Sequence, residues 1–195
     1  MVNLLRYLSL LNTGVWLGIA VFMFIVAMTI FTAPEVNSLL PEKAAKGQAG
    51  QIFFQRCYLA QYICAGAALA LLLLEWGIGK IAFPKWRLLL LLLIGGLVGG
   101  GGQWLAPKME SLLRQKYPEY FQRTPQTAAA RPATPASAAI TAATVEHAKW
   151  HRVSEGGFVA AAALLLIYFG ATAWVVGNGA RNKSARGRLG VLTTS

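Results

Sequence analysis

Hydrophobic positions in this chain fall into four long runs separated by polar segments. The runs cover about residues 8–31, 52–76, 86–106 and 153–176. Each is close to the roughly 20 residues that an α-helix needs to cross the hydrocarbon core of a bilayer. The first run is too long for a signal-peptide core and no clear cleavage site follows it, so we expect it to be retained. The pattern predicts an all-α protein, a four-helix transmembrane bundle within residues 1–177.

The longer polar segments differ in character. Residues 107–123 place Met109, Leu112 and Leu113 at helical spacing among charges, which predicts an amphipathic extension along the membrane surface. Residues 124–143 are rich in Ala, Pro, Thr and Ser and contain no aromatic residue. Such a segment cannot form a core, so we expect a disordered linker between helices three and four. Residues 178–195 are rich in Lys and Arg, and we expect a basic, disordered tail.

The composition supports a membrane protein. Hydrophobic residues make up 56% of the 195 residues and charged residues 13%, with no aspartate, whereas soluble domains carry about 25% charged residues. The net charge is +11, and the charged residues are concentrated in the segments between and after the hydrophobic runs. Because the sequence contains no nucleic-acid-binding motif, we expect the lipid bilayer, and no nucleic acid, as a partner. Lys and Arg dominate the short segments on the side of the two termini. This predicts cytoplasmic termini in a bacterial inner membrane.

The third run contains the glycine-rich stretch GGLVGGGGQW. No predicted strand precedes it and no Lys-Ser or Lys-Thr follows, so it is not a phosphate-binding loop. Gly95 and Gly99, and likewise Gly96 and Gly100, have the spacing that lets two membrane helices approach closely. We therefore expect the third helix at the tightly packed centre of the bundle, with a kink near residues 99–102.

Most polar residues that interrupt the runs lie at one end of the predicted bundle. The opposite end is plainer, with Thr13 and Glu75. Glu155 is a candidate partner for Arg56, and so is Glu35, because ionisable residues near a bilayer usually pair. The polar residues either form a vestibule that binds a ligand or fix the bundle through interhelical hydrogen bonds. The predicted polar cluster comprises Gln55, Arg56, Gln103, His151, Ser154 and Glu155.

Both histidines, His147 and His151, lie at the start of the fourth run. Two histidines four residues apart can chelate a metal from one helix face, but two ligands are too few for a tight site. The chain has no HExxH, paired CxxC or CxxCH motif. Ser154 follows His151 on the same helix, without an aspartate or a GxSxG turn to make a hydrolase. We expect no enzyme activity and no cofactor, and metal binding by the two histidines is a weak alternative.

Four short stretches, TAPEVNSLLP, AGQIFFQRCY, WLAPKM and WHRVS, lie in this order at the ends of the predicted helices. Together they resemble the transmembrane-protein-205-like family, a domain of unknown function of the 4149 type. The resemblance implies a four-helix integral membrane protein. His147 departs from it, since the family usually has an aromatic residue there, and the Ala/Pro-rich linker is atypical. The signature residues that the resemblance implies are Pro34, Ala49, Gly50, Phe53, Tyr58, Pro107, Met109, His151 and Ser154.

The function predicted from the sequence is a structural or accessory role in the membrane, in which the polar cluster holds the bundle or a partner. The expected assembly is a homo-oligomer or a larger membrane complex. Two alternatives stay open. The family is similar to copper-resistance D proteins and to a haem-binding protoporphyrinogen oxidase of four-helix type, which implies copper or haem handling through His151. The other alternative is a small transporter that works as an oligomer.

Overall fold

The structure is built from long helices. The computed structural model describes the backbone of residues 1–79, 84–123 and 137–192, and the side chains of these ranges except 123 and 179–192. The described part contains no strand, which confirms the all-α prediction. The elements are α1 (Val2–Thr32), α2 (Pro34–Leu39), α3 (Lys43–Gly79), α4 (Lys85–Gly99), a π-helical segment (Gly100–Leu105), α5 (Ala106–Lys116), α6 (Pro118–Arg123) and α7 (Ser137–Leu192).

Four of these helices are long and apolar enough to cross a membrane. They are α1, α3, the continuous helix from Lys85 to Lys116, and α7 between Ser137 and Asn178. Many of their large apolar side chains point outward, as hydrocarbon surroundings require. The four-helix membrane bundle predicted from the four hydrophobic runs is confirmed.

Each long helix buries only a narrow stripe against its neighbours. On α1 the stripe is Ser9, Thr13, Trp16, Ala20 and Met23, at alternating spacings of four and three residues. This spacing keeps one face of a helix turned inward along its whole length. Both α1 and α4 pack against α3 and α7, so α1 and α4 face each other across the bundle.

The π-helical segment lies where the sequence predicts a kink. Pro107 follows it within the continuous helix. Proline has no N–H to donate, and its ring collides with the carbonyl of the residue four positions earlier, here Gln103. The preceding glycine run resists this distortion little, so the backbone widens into π-turns over Gly100–Leu105. Segments of this kind are frequent at functional sites.

Helix α7 is longer than the sequence predicts at both ends. Residues 124–136 of the predicted linker lie outside the described residues, but Ser137 to Ala143 are helical, so the linker prediction is wrong there. This part follows the last proline of the linker and contains four alanines, the strongest helix former. The backbone is also helical from Asn178 to Leu192, where a disordered tail is predicted, as a continuation of the same helix.

A small second core, which we call the cap, lies at the end of the bundle where α3 and α7 begin. It joins the first turns of α3 and α7 to α5 and α6, and its buried residues are Ala44, Met109, Leu112, Leu113, Phe121 and Ala143. A Cβ added to Gly47 would lie 2.8 Å from Leu113 Cδ1, so α3 and α5 approach closely here. Tyr120 Oη donates to Gln48 Oε1 at 3.1 Å. The apolar face of the predicted amphipathic extension is therefore buried against protein.

Candidate functional site

A buried ion network lies at the end of the bundle where α1 begins, α3 ends and α4 begins. Its centre is Glu75 of α3, whose side chain is 4% exposed. Glu75 Oε1 accepts a hydrogen bond from Arg6 Nε of α1 at 2.7 Å, and Oε2 accepts one from Arg87 Nη1 of α4 at 2.7 Å. The carboxylate thus joins two helices that face each other across the bundle. We call this end of the molecule the network end.

Hydroxyl groups extend the network toward the middle of the bundle. Arg87 Nη2 lies 3.4 Å from Ser9 Oγ. Thr13 Oγ1 donates to the Ser9 carbonyl at 2.7 Å, and Thr172 Oγ1 of α7 donates to the Tyr168 carbonyl at 2.8 Å. Ser9, Thr13, Tyr168 and Thr172 are all at most 1% exposed. All four long helices therefore contribute buried polar groups at this end.

Among the described residues, three buried polar atoms at or near the network lack a hydrogen-bond partner with normal geometry. They are Arg87 Nε, Tyr168 Oη and Trp16 Nε1. All three can donate a hydrogen bond. Two guanidinium groups face one carboxylate, so the network also has an excess of one positive charge. An ionisable group within a membrane bundle is costly and is a functional-site hypothesis by default, which makes this network the foremost polar feature of the described fold.

Sequence reasoning missed this network because Glu75 and Arg87 looked like ordinary charges at helix ends. A signal for them is nevertheless present. Glu75 continues the buried stripe of α3 after Ala68 and Leu72, and Arg87 precedes Leu91 and Ile94 on the buried stripe of α4. Both residues fall on the inward face at spacings of three or four. Extending each apolar stripe to the helix end would have placed both charges inside the bundle.

The residues of the predicted polar cluster lie at the opposite end, and most are exposed. Gln55, Arg56 and Gln103 are exposed and make no hydrogen bond or ion pair with the described residues. Glu155 Oε1 lies 3.3 Å from His151 Nε2, with side chains 65% and 53% exposed, and it does not pair with Arg56. The interhelical contacts predicted for this cluster are thus not formed within the described chain.

The two histidines form a stacked pair in which His151 is exposed and His147 is partly buried. The rings of His147 and His151 stack with centroids 6.2 Å apart. Within the described ranges, no three His, Cys, Asp or Glu side chains are grouped as a metal ion would require. The two cysteines, Cys57 and Cys64, are buried and unpaired on one stripe of α3.

The glycines that make close contacts differ from those predicted. A Cβ added to Gly95, Gly96, Gly99 or Gly100 would meet no atom within 4 Å, so these four glycines make no close helix contact with the described part of the chain. The close approach falls instead at the next two positions. A Cβ at Gly101 would lie 2.7 Å from Tyr58 Oη, and one at Gly102 would collide with Tyr62 Oη. The two stacked tyrosines of α3 need glycine at these positions because their rings lie directly on the π-helical backbone.

Beside this contact lies a cleft between α3, the third long helix and α7. Its volume is about 210 Å³. Its walls are mainly apolar, with Tyr58, Gln61 and Ser154 as the polar exceptions. Gly96, Gly100 and Trp104 line the cleft and are exposed, so the cleft opens to the outside of the bundle. We call this end of the molecule the cleft end.

A lysine and two tryptophans lie at the edge of the cleft. Lys108 Nζ is 4.1 Å from the ring centroid of Trp150 and 5.6 Å from that of Trp104. The two indole rings meet edge to face at 5.0 Å. Glu146 Oε1 lies 3.3 Å from Lys108 Nζ and accepts a hydrogen bond from Trp150 Nε1. This assembly joins α5 to α7, and lysine and tryptophan side chains of this kind are typical of the level at which a membrane protein meets polar surroundings.

The signature residues implied by the family resemblance are mostly packing residues. A Cβ at Gly50 would lie 3.3 Å from Phe31 Cζ, so this glycine lets α1 and α3 approach. The Phe53 ring meets Phe22 of α1 with centroids 6.0 Å apart. Pro34 begins α2, next to Ala33, whose extended backbone ends α1. In the same set, Ala49 precedes Gly50, Tyr58 lies on Gly101, Pro107 follows the π-turns and Met109 is buried in the cap.

The fold defines the class of protein: an all-helical bundle with four helices able to cross a membrane. The family model described as Domain of unknown function (DUF4149) matches residues 11–118. The match covers more than half of the 195 residues, so the chain belongs to this family. Comparisons with the curated proteins and with the solved structures give no significant match.

Proposed function

We propose that this protein is a structural or accessory component of its membrane, and not an enzyme. In this proposal the network end fixes the arrangement of the four helices, and the cleft end offers its polar side chains to a neighbouring membrane protein. The membrane is a bacterial inner membrane with both chain termini on the cytoplasmic side, as the distribution of Lys and Arg predicts.

The observation that carries the proposal is the unequal treatment of polar groups at the two ends. At the network end Glu75 accepts one hydrogen bond from each of two arginines within the chain. At the cleft end Gln55, Arg56 and Gln103 are exposed and make no hydrogen bond or ion pair with described residues. A polar side chain close to hydrocarbon is stabilised by any partner that forms a hydrogen bond or an ion pair with it. They are therefore suited to contacts with another chain.

A second observation supports a role without chemistry. A nucleophile needs a base within about 3.2 Å and a third group that orients the base. Ser154 is the hydroxyl closest in sequence to His151, but no hydrogen bond joins them, and His151 lies instead beside the exposed Glu155. The cleft supplies Tyr58, Gln61 and Ser154 as its polar groups, without a carboxylate or a histidine among its lining residues.

Photo-crosslinking in native membranes tests the proposal. A photoreactive amino acid would replace Gln55 in one variant and Ile63 in another. Ile63 is a control on the same helix, is 66% exposed and lies further into the apolar run. We expect a discrete protein adduct at position 55 and none at position 63, and the adduct's mass will tell a second copy from another protein. Equal labelling at both positions, or lipid adducts alone at position 55, would contradict the proposal.

A further inference from the structure

The geometry points to a binding site for an anionic phospholipid. One acyl chain would lie in the cleft, and the headgroup would lie beside Lys108, Trp104 and Trp150 at its edge. This inference goes beyond the accessory role and does not depend on it. It requires only that the bundle lies in a membrane.

The cleft lies at the depth of the hydrocarbon. Trp86 of α4 and Trp104 of the π-helical segment are 66% and 56% exposed. Tryptophan is enriched at both interfaces of a bilayer. Eighteen residues separate the two, a rise of about 27 Å, close to the roughly 30 Å of the hydrocarbon core. The glycine and valine walls of the cleft come before Trp104 on this helix, on the apolar side of that boundary.

The size of the cleft favours a single acyl chain over a second helix. The cleft volume of about 210 Å³ is about seven times the ~30 Å³ that one water molecule occupies in the liquid. A methylene group is of similar size, so one segment of an acyl chain fits. A helix with its side chains is about 10–12 Å across and cannot enter. Gly96 and Gly100 leave the mouth open, because a Cβ at either would meet nothing within 4 Å.

The edge of the cleft is cationic. Lys108 lies one helical turn beyond Trp104, and its side chain is 31% exposed, so the ammonium group remains accessible although Glu146 lies beside it. Lys149 and Arg152 are exposed on the neighbouring turns of α7. Lys108, Lys149 and Arg152 outnumber Glu146 and Glu155 in this region. A phosphate at the interface would therefore meet a surplus of positive charge next to the chain that enters the cleft.

Native mass spectrometry of the full chain with defined phospholipids tests the inference. The probes are phosphatidylglycerol, which is anionic, and phosphatidylethanolamine, which is zwitterionic, at equal concentration. Gly100→Leu fills the cleft from its wall. Gly95→Leu is the matched control, since it adds the same side chain to the same helix at a position that also has open space but does not line the cleft. Lys108→Gln removes one charge from the edge, and thermal unfolding in detergent shows whether each variant folds.

We expect the wild-type chain and Gly95→Leu to retain one phosphatidylglycerol in preference to phosphatidylethanolamine, and Gly100→Leu to lose it. Lys108→Gln should reduce the preference by about fivefold, the effect of roughly one cation at a membrane surface. If Gly100→Leu does not fold, Ala161→Leu fills the same cleft from α7. Equal retention by the cleft-filling variant and Gly95→Leu would overturn the inference. So would equal retention of the two lipids by the wild-type chain, or a dimer that Gly100→Leu disrupts without any lipid retained.

Discussion

The two ends of this bundle differ in how deeply their charged pairs are buried. At the network end, Glu75 is nearly inaccessible and is bonded to Arg6 and Arg87, so its charge stabilises contacts within the chain. At the cleft end, His151 and Glu155 form a pair that is more than half exposed. An ion pair in a low-dielectric interior is strongly coupled, whereas an exposed pair is screened and contributes little. The same residue types therefore determine the fold at one end and remain available at the other.

The largest difference in unfolding free energy between variants at the two ends is expected when the Glu75 carboxylate is removed. Glu75→Ala leaves two arginines without their partner, and breaking a buried pair in this way costs about 3–5 kcal/mol. Thermal or denaturant unfolding in detergent should show this loss. The matched variant Glu155→Ala, whose side chain is 65% exposed, should change stability by less than about 0.5 kcal/mol. Similar losses in the two variants would remove the distinction between the ends.

A smaller effect is expected where the tyrosines meet the π-helical backbone. Gly102→Ala introduces a Cβ that collides with Tyr62 and lies 3.0 Å from Tyr58 Cγ. Overpacking of this kind typically costs about 1–3 kcal/mol. Gly99→Ala adds the same methyl group where nothing lies within 4 Å, and the higher helix propensity of alanine should leave stability unchanged or raise it by up to about 1 kcal/mol. The comparison is made by thermal unfolding of both variants, and a loss in Gly99→Ala would show that its face is packed.

The smallest effect is expected at the histidine pair. His151→Ala removes an exposed side chain whose neighbour Glu155 is also exposed, so the free energy of unfolding should change by less than about 0.5 kcal/mol. The absorbance spectrum and the metal content of the purified protein should be the same before and after the substitution. A Soret band or stoichiometric copper that disappears in His151→Ala would instead favour the alternative of metal or haem handling.

Much of this architecture follows from the pattern of hydrophobic residues. The four runs predict the four long helices, because a membrane span must be apolar on every side that faces lipid. The adjacent glycines of the third run predict a kink near residues 99–102, and the π-turns over Gly100–Leu105 overlap that range. The start of α7 at Ser137 was missed because alanine-rich sequence is equally typical of linkers and of helices, and here it continues into a long apolar helix.

The network could not be predicted from the positions of charges alone. Glu75 lies next to Trp76 at a helix end, where charged residues usually extend toward water. Its burial depends on the rotation of α3 about its own axis, which is determined by how Ala68 and Leu72 pack in the shared core. The glycines show the same limit. The spacing of Gly95, Gly96, Gly99 and Gly100 predicts a close contact. Because of the rotation of the helix about its axis, Gly101 and Gly102 make that contact instead.

The central claim is that the network end holds the bundle through buried charge coupling, which the exposed pair at the cleft end lacks. Two double-mutant cycles, measured by unfolding under identical detergent conditions, test it directly. One combines Glu75→Gln with Arg87→Met, and the other combines Glu155→Gln with His151→Ala. We expect a coupling on the order of 2 kcal/mol for the buried pair and about 0.5 kcal/mol or less for the exposed pair. A coupling between Glu75 and Arg87 no larger than that between His151 and Glu155 would contradict the claim.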